Sequence, residues 1–161
     1  MSIEITMKIE ISNLQNFPQH IDTVVNWLYS EWGNNNYAFW RSWVINSLNA
    51  KNANDIPQTY IMFANSEVVG TYSLWRCDLQ SRQDLFPWFG GLYVKTSWRG
   101  RNLSFLLFDH AKNVLVSMGY KVAYCFTEKE PKLYQSWGWQ VIGQAPNEND
   151  MLVTLCKYPL L

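Results

Sequence analysis

The run Arg99-Gly100-Arg101-Asn102-Leu103-Ser104 sets two guanidinium groups and a glycine directly ahead of an apolar stripe at helical spacing. The first peptide N–H groups of a helix have no internal partner and carry the positive end of its dipole. A glycine-containing turn into a helix is therefore an anion cradle, and phosphate is its natural guest. Gly100 lets the main chain approach without a Cβ, Arg99 and Arg101 add charge, and successive N–H groups of such a turn form a concave nest. An ordinary strand-turn-helix unit also needs a small residue here, so the turn by itself leaves both readings open.

Other reactive side chains read more quietly. Cys77, Cys125 and Cys156 form no CxxC pair and leave an odd thiol, which argues against a disulfide framework and against zinc. A reducing cytoplasm and no metal are expected. Cys125 lies in an apolar run and reads as an inert core thiol. His110 adjoins the apolar stripe and reads as a boundary histidine, and His20 has no partner pattern. The Gly-Lys-Ser/Thr of a P-loop is missing, since Lys95-Thr96 follows a valine, which sets aside a nucleotide phosphate site of that type.

These residues must be held by one domain, expected over residues 1–161, since 161 residues at 48% hydrophobic suffice for a single core. Thirteen basic residues balance 13 acidic ones, so no global field draws the chain to nucleic acid or to an anionic membrane. No stretch approaches the roughly 18 apolar residues of a membrane span. The opening "MSIEITMKIEIS" alternates apolar and polar residues and reads as a strand, not a signal peptide. Nine Trp, nine Tyr and eight Phe are expected mostly in the core, with a minority lining a cleft.

Ile3, Ile5, Met7, Ile9 and Ile11 at a period of two predict a strand over 3–11. Ile21, Val24, Val25 and Leu28 predict a helix over about 18–31, with Gly33 as its stop, and "NYAFWRSWVINSLNA" predicts a second, shorter one. Two β-rich runs around "ANSE" outline a hairpin, and "WFGGLYVK" adds a strand whose Gly90-Gly91 pair marks a bulge or a close backbone approach. Leu103, Leu106, Leu107, Ala111, Val114 and Met118 trace the strongest helix, which Gly119 ends. A buried strand, "YKVAYCFT", a short helix, "EPKLYQSW", and a closing strand pair follow. The class is α/β, a mixed sheet covered by helices in the order β-α-α-β-β-β-α-β-α-β-β, with a right-handed parallel crossover between residues 88 and 127.

"GLYVKTSWRGRNLSFLLFDHA", "KLYQSWGWQVIG" and this order of elements together resemble the GNAT superfamily of acetyl-CoA-dependent N-acetyltransferases, bacterial type, over essentially the whole chain. The first segment is similar to the family's Arg-x-x-Gly-x-Gly/Ala pyrophosphate loop and the second to its Tyr-x-x-x-Gly-Phe/Trp segment. "VVGTYSLWRCDLQSRQDLFPWFGGLYV" resembles a group of bacterial members with an Asp-Leu, Arg, Asp-Leu, Pro-Trp run. Asn102 stands where the loop's first glycine belongs, Ser104 where Gly or Ala is usual, and Thr127 roughly where many members carry an Asn. Asn tolerates the left-handed backbone conformation better than most residues, so the loop is expected to form.

The resemblance implies acetyl-CoA as cosubstrate, lying between the fourth and fifth strands. It would contact the backbone of Leu92, Tyr93 and Val94, Thr127, and the N–H groups of Arg99, Gly100, Arg101, Asn102, Leu103 and Ser104. It implies direct attack by a primary amine on the thioester, a bulge N–H facing the developing oxyanion, and Tyr134 as general acid to the leaving thiolate. Asp78, Asp84 and Glu31 are the candidates for a base or for holding the acceptor. Trp27, Trp32, Trp40 and Trp43, on the helices that flank the acceptor cleft in this family, either shape a pocket for an aromatic or apolar amine or pack the core. The acceptor is expected to be a small-molecule or peptide amine, with a homodimer possible in view of similar proteins. A rival of another class is a non-catalytic protein of the same shape that holds an acyl-CoA.

Overall fold

The computed structural model describes residues 6–33, 35–49 and 54–161. In chain order its main elements are β1 (Ile9–Asn13), α1 (Ile21–Trp32), α2 (Tyr37–Asn46), β2 (Gln58–Ala64), β3 (Glu67–Trp75), β4 (Trp88–Val94), α3 (Leu103–Ser117), β5 (Val122–Thr127), α4 (Pro131–Ser136), β6 (Gln140–Pro146) and β7 (Leu152–Pro159). The strands form one sheet in the order β1-β2-β3-β4-β5-β7-β6. All neighbours are antiparallel except β4 and β5, which run parallel across the α3 crossover. This is the mixed sheet, and the element order, expected from the pattern of residues.

Alternation along β2 shows how the layers form. Met62 packs with α3 through a cluster that includes Leu103, Leu107, Phe108, Ala111 and Leu115. Its neighbour Ile61 packs instead with Val24, Val25 and Leu28 of α1 and Val44 of α2. Successive strand side chains point to opposite faces, so α3 covers one face of the sheet and α1 and α2 the other. Removing a fully buried side chain such as Leu107 would cost about 2–5 kcal/mol.

Local chemistry sets the boundaries. Asn65 and Ser66 take φ of 50° and 73° at the tip of the β2–β3 hairpin, the positive pair that a two-residue turn of matching twist needs. The Asn65 side chain accepts from the Lys8 N–H at 2.9 Å. Asn36 caps α2 by accepting from the Phe39 N–H at 3.0 Å. The first strand differs from its expected span: Ile3 and Ile5 lie outside the described residues, and the ladder runs from Ile9 to Asn13. Ile9 already faces Ala64, the last residue of β2, so Met7 has no strand partner to meet. Residues 18–20 form a 3₁₀ turn ahead of α1. Among the described residues no helix is long and apolar enough to cross a membrane.

Candidate active site

The site begins where the sheet fails to close. β4 and β5 share a single bridge, Trp88 to Tyr124, beside the bond from the Tyr124 N–H to the Pro87 carbonyl at 2.9 Å. β4 also bulges against β3: Gly90 faces Ser73 and Tyr93 faces Thr71, so Gly91 and Leu92 share one opposing residue, Tyr72. Gly91 takes φ of 60°, which explains its lack of a side chain. A cleft of about 1630 Å³ opens over this split.

The glycine pair is also a seat for two side chains. A Cβ on Gly90 would collide with the Asp78 carboxylate, and one on Gly91 would come within 3.2 Å of the Trp43 ring. Asp78 and Trp43 both line the cleft. Burial, and secondarily the charge of Glu148, push the Asp78 carboxyl up to about 7 from 3.8.

One end of the cleft is formed by the turn into α3. Gly100 takes φ of 79° with open space where a Cβ would stand, and Asn102 takes φ of 63° at the N-cap. The left-handed conformation expected of Asn102 is therefore present. Its side chain makes no capping bond, and the first helical bond runs from the Leu106 N–H to the Asn102 carbonyl at 3.4 Å. Helix geometry then leaves the N–H groups of Leu103, Ser104 and Phe105 without helical acceptors. Gly100, Asn102, Leu103 and Ser104 all line the cleft.

The arginines of this turn behave differently from each other. Arg99 lines the cleft, but its Nε donates to the Val94 carbonyl at 2.9 Å and its guanidinium lies 5.3 Å from the Tyr93 ring centre. Val94 thus offers less free backbone than the expected pairing of residues 92–94 assumed. Arg101 stacks on Trp98 at 4.6 Å and is not part of the cleft wall. Leu92, Tyr93 and Val94 all line the wall beside the bulge.

Tyr134 lines the cleft from α4, its ring set edge-on against Trp137 and Trp139. Burial pushes its hydroxyl well above the ordinary tyrosine value, and Cys125, Cys156, Asp78 and Glu130 add to the effect. Thr127 is buried at the end of β5, and its hydroxyl accepts from the Glu130 N–H at 2.9 Å. That bond shapes the turn that presents α4.

The three carboxylates named from the sequence part company here. Asp78 and Glu31 line the cleft, whereas Asp84 is exposed, outside its wall, and bound through both oxygens to Arg82 at 2.9 Å. That pair holds Asp84 below the usual carboxylate range. Trp32, Trp40 and Trp43 reach the cleft, while Trp27 stacks on Tyr93 at 5.3 Å instead. His110 pairs with the Tyr72 hydroxyl at 2.8 Å, away from the cleft. Cys125 is buried with its thiol pushed up by burial, as expected of an inert core residue.

Trp75 and Glu148 are among the cleft residues that the sequence reading did not single out. Trp75 ends β3 and stacks on Trp43 at 3.8 Å. Glu148 reaches the same cleft from the β6–β7 turn, about 70 positions from Asp78. Trp75 sits one residue before the Arg-Cys-Asp run and was findable as the end of a strand aimed at the bulge. Nothing local marks Glu148.

Comparison with known proteins agrees with this geometry. The family model described as Acetyltransferase (GNAT) family matches residues 21–139. No curated protein sequence matches the chain. Among solved structures, an aminoglycoside 6′-N-acetyltransferase complexed with coenzyme A is similar at 16% identity and a TM-score of 0.77, over 94% of this chain and 97% of that one. Aminoglycoside 6′-acetyltransferase type Ii is similar at 18% identity and 0.75, and the aminoglycoside 6′-N-acetyltransferase from Enterococcus faecium at 15% and 0.72. Both of these again align over 94% of this chain and 97% of theirs. With a sheet split between β4 and β5, a glycine turn opening α3 beside it, and a family match over most of its length, this chain belongs to the GNAT family of acetyltransferases.

Proposed function

We propose that the chain moves the acetyl group of acetyl-CoA to a primary amine of a small molecule by direct attack, with Asp78 as general base and Tyr134 as general acid. The observation that carries the reading is the single bridge joining β4 to β5, beside an α3 N-terminus that no side chain caps. Coenzyme A in a similar structure, and aminoglycosides as the acceptors named for several, support the cosubstrate and a small-molecule amine.

The residues present suit that cosubstrate. The free N–H groups of residues 103–105, the open face of Gly100 and the Ser104 hydroxyl suit a diphosphate. Leu92 and Tyr93 at the bulge offer backbone groups for amide pairing, as an added strand would. Acetyl-CoA, when bound, supplies a thioester carbonyl open to a nucleophile. A bulge N–H without a ladder partner is the donor that a developing negative oxygen needs.

Asp78 does the proton work on the acceptor side. An amine arrives as an ammonium with a reference value near 10.4, and a carboxylate poised at about 7 inside the cleft accepts a proton near neutral pH. Tyr134 keeps its proton at every working pH, so it acts by placement, offering a hydroxyl hydrogen to the thiolate. Thiol release from acetyl-CoA across a panel of amines, alongside calorimetry with CoA, tests the whole reading. CoA binding with no thiol release for any amine would leave the non-catalytic acyl-CoA holder in its place.

A further inference from the structure

A line of three buried hydroxyls runs from the end of α2 to the bulge of β4. The Ser47 hydroxyl, at the C-cap of α2, donates to the Val44 carbonyl, and the Thr59 hydroxyl of β2 donates to the Ser47 oxygen at 2.7 Å. The hydroxyl oxygens of Thr59 and of Ser73 in β3 are themselves 2.7 Å apart. Ser73 stands opposite Gly90 in the ladder, and its Oγ lies 3.6 Å from where a Cβ on Gly91 would be. All three residues are at most 2% exposed, so solvent does not compete for their protons.

A carbonyl can only accept, and a hydroxyl has one proton to give. Ser47 spends its proton on Val44 and must accept from Thr59. Thr59 then has none left for Ser73, so the last bond runs from Ser73 to Thr59. The chain thus takes its direction from its far end, and it draws the Ser73 proton away from β4. The place of Ser73 makes that direction matter. Gly91 and Leu92 share one opposing residue, so the backbone beside Ser73 holds polar groups without ladder partners. A released hydroxyl proton there would find a carbonyl to bond, because a buried donor without a partner is costly.

We propose that Ser47 and Thr59 are positioning residues: by committing the Ser73 proton to Thr59, they keep that hydroxyl from capturing the bulge backbone. The proposal rests on the acetyltransferase reading above and deepens it, since the bulge supplies the donor for the developing negative oxygen in that reading. Ser47, Thr59 and Ser73 do not line the cleft, so they act through β4 and not on a ligand. α2 thereby reaches the bulge twice, through the Trp43 ring against Gly91 and through this chain.

Without the Ser47 oxygen, Thr59 turns its proton to Ser73, and the Ser73 proton is released toward β4. Ser47→Ala should therefore lower kcat for thiol release about fivefold or more, with the KM for acetyl-CoA within about twofold of the parent. It should also shift the amide NMR signals of Gly90 and Gly91. In a Ser73→Ala background, which has no proton to release, the same change should move neither kcat nor the signals. Thr59→Val should behave like Ser47→Ala, and Thr59→Ser, which keeps the hydroxyl, like the parent. A role confined to stability would lower resistance to urea in both backgrounds and leave kcat alone. Equal effects of Ser47→Ala on kcat in the two backgrounds, or none in either, overturn the proposal. A parent that releases no thiol with any amine fails the acetyltransferase reading instead. The glycine signals then decide whether the chain sets the bulge, and Ser47→Ala leaving them in place overturns the proposal by itself.

Discussion

Replacing Asp78 by Asn should make the protein more stable and nearly inactive at once. Burial and Glu148 raise the folded-state value of this carboxyl from 3.8 to about 7, so the folded protein favours the protonated form more than the unfolded chain does. Stability from this group is fully present below about pH 4, is lost as pH rises toward 7, and stays lost above it. At about 1.36 kcal/mol per unit, the stability lost through Asp78 relative to low pH is roughly 4 kcal/mol at pH 8 and roughly 1.5 kcal/mol at pH 5. Asn fills nearly the same space beside Gly90 and carries no charge. Urea unfolding of Asp78→Asn and the parent at both pH values should therefore show a stabilisation larger at pH 8 by about 2.5 kcal/mol, since every other titrating group cancels in the comparison. Thiol release with a responsive amine should fall by about 10²-fold or more in the same variant. Equal stabilisation at the two pH values, or a loss at pH 8, would refute the claim that the carboxyl is buried at a cost, and full activity would remove it as the base.

Glu148→Gln withdraws the second cause of the raised Asp78 value, so the acid limb of the kcat/KM profile should move to lower pH, and an unmoved limb would uncouple the two residues. Tyr134→Phe should lower kcat by about 10²-fold with little change in CoA affinity by calorimetry, because the hydroxyl is proposed to meet the leaving thiolate and not the diphosphate. Asn102→Val forces a β-branched residue into φ of 63°, a strain of about 1–3 kcal/mol that should weaken CoA binding about tenfold or more, while Asn102→Gly should bind at least as well as the parent.

The fold was legible because its cues are local. Period-two runs, the helical stripe from Leu103 to Met118 and the stops at Gly33 and Gly119 each lie within a few residues of what they decide, and the element order follows from them. The Gly90-Gly91 pair gave away the bulge for the same reason. The site was legible only where one segment supplies it, as in the turn from Arg99 to Ser104. Asp78, Asp84 and Glu31 were indistinguishable as letters, since what separates them is a partner in space: Arg82 for Asp84, and the β4 backbone with Glu148 for Asp78. Arg101 shows what letters do not tell of a side chain's direction. Its charge suggested the cradle, yet Trp98 three residues earlier captures the guanidinium.

The two irregularities of β4 act together. A parallel sheet that continued past Trp88 would pair the β4 backbone with β5 and leave no groups to offer a ligand, and a regular β4 would pair its remaining edge with β3 throughout. The split frees one edge and the bulge frees a backbone group on the other, within a few residues of each other. Both fall at glycines whose missing side chains admit Asp78 from one loop and Trp43 from α2. Interrupting the sheet thus does three things at one point: it opens the cleft, exposes polar backbone and lets a carboxylate lie against it. A substitution that restored regular pairing here would strengthen the sheet and abolish the site, which is why strand propensity and function pull in opposite directions at Gly90 and Gly91.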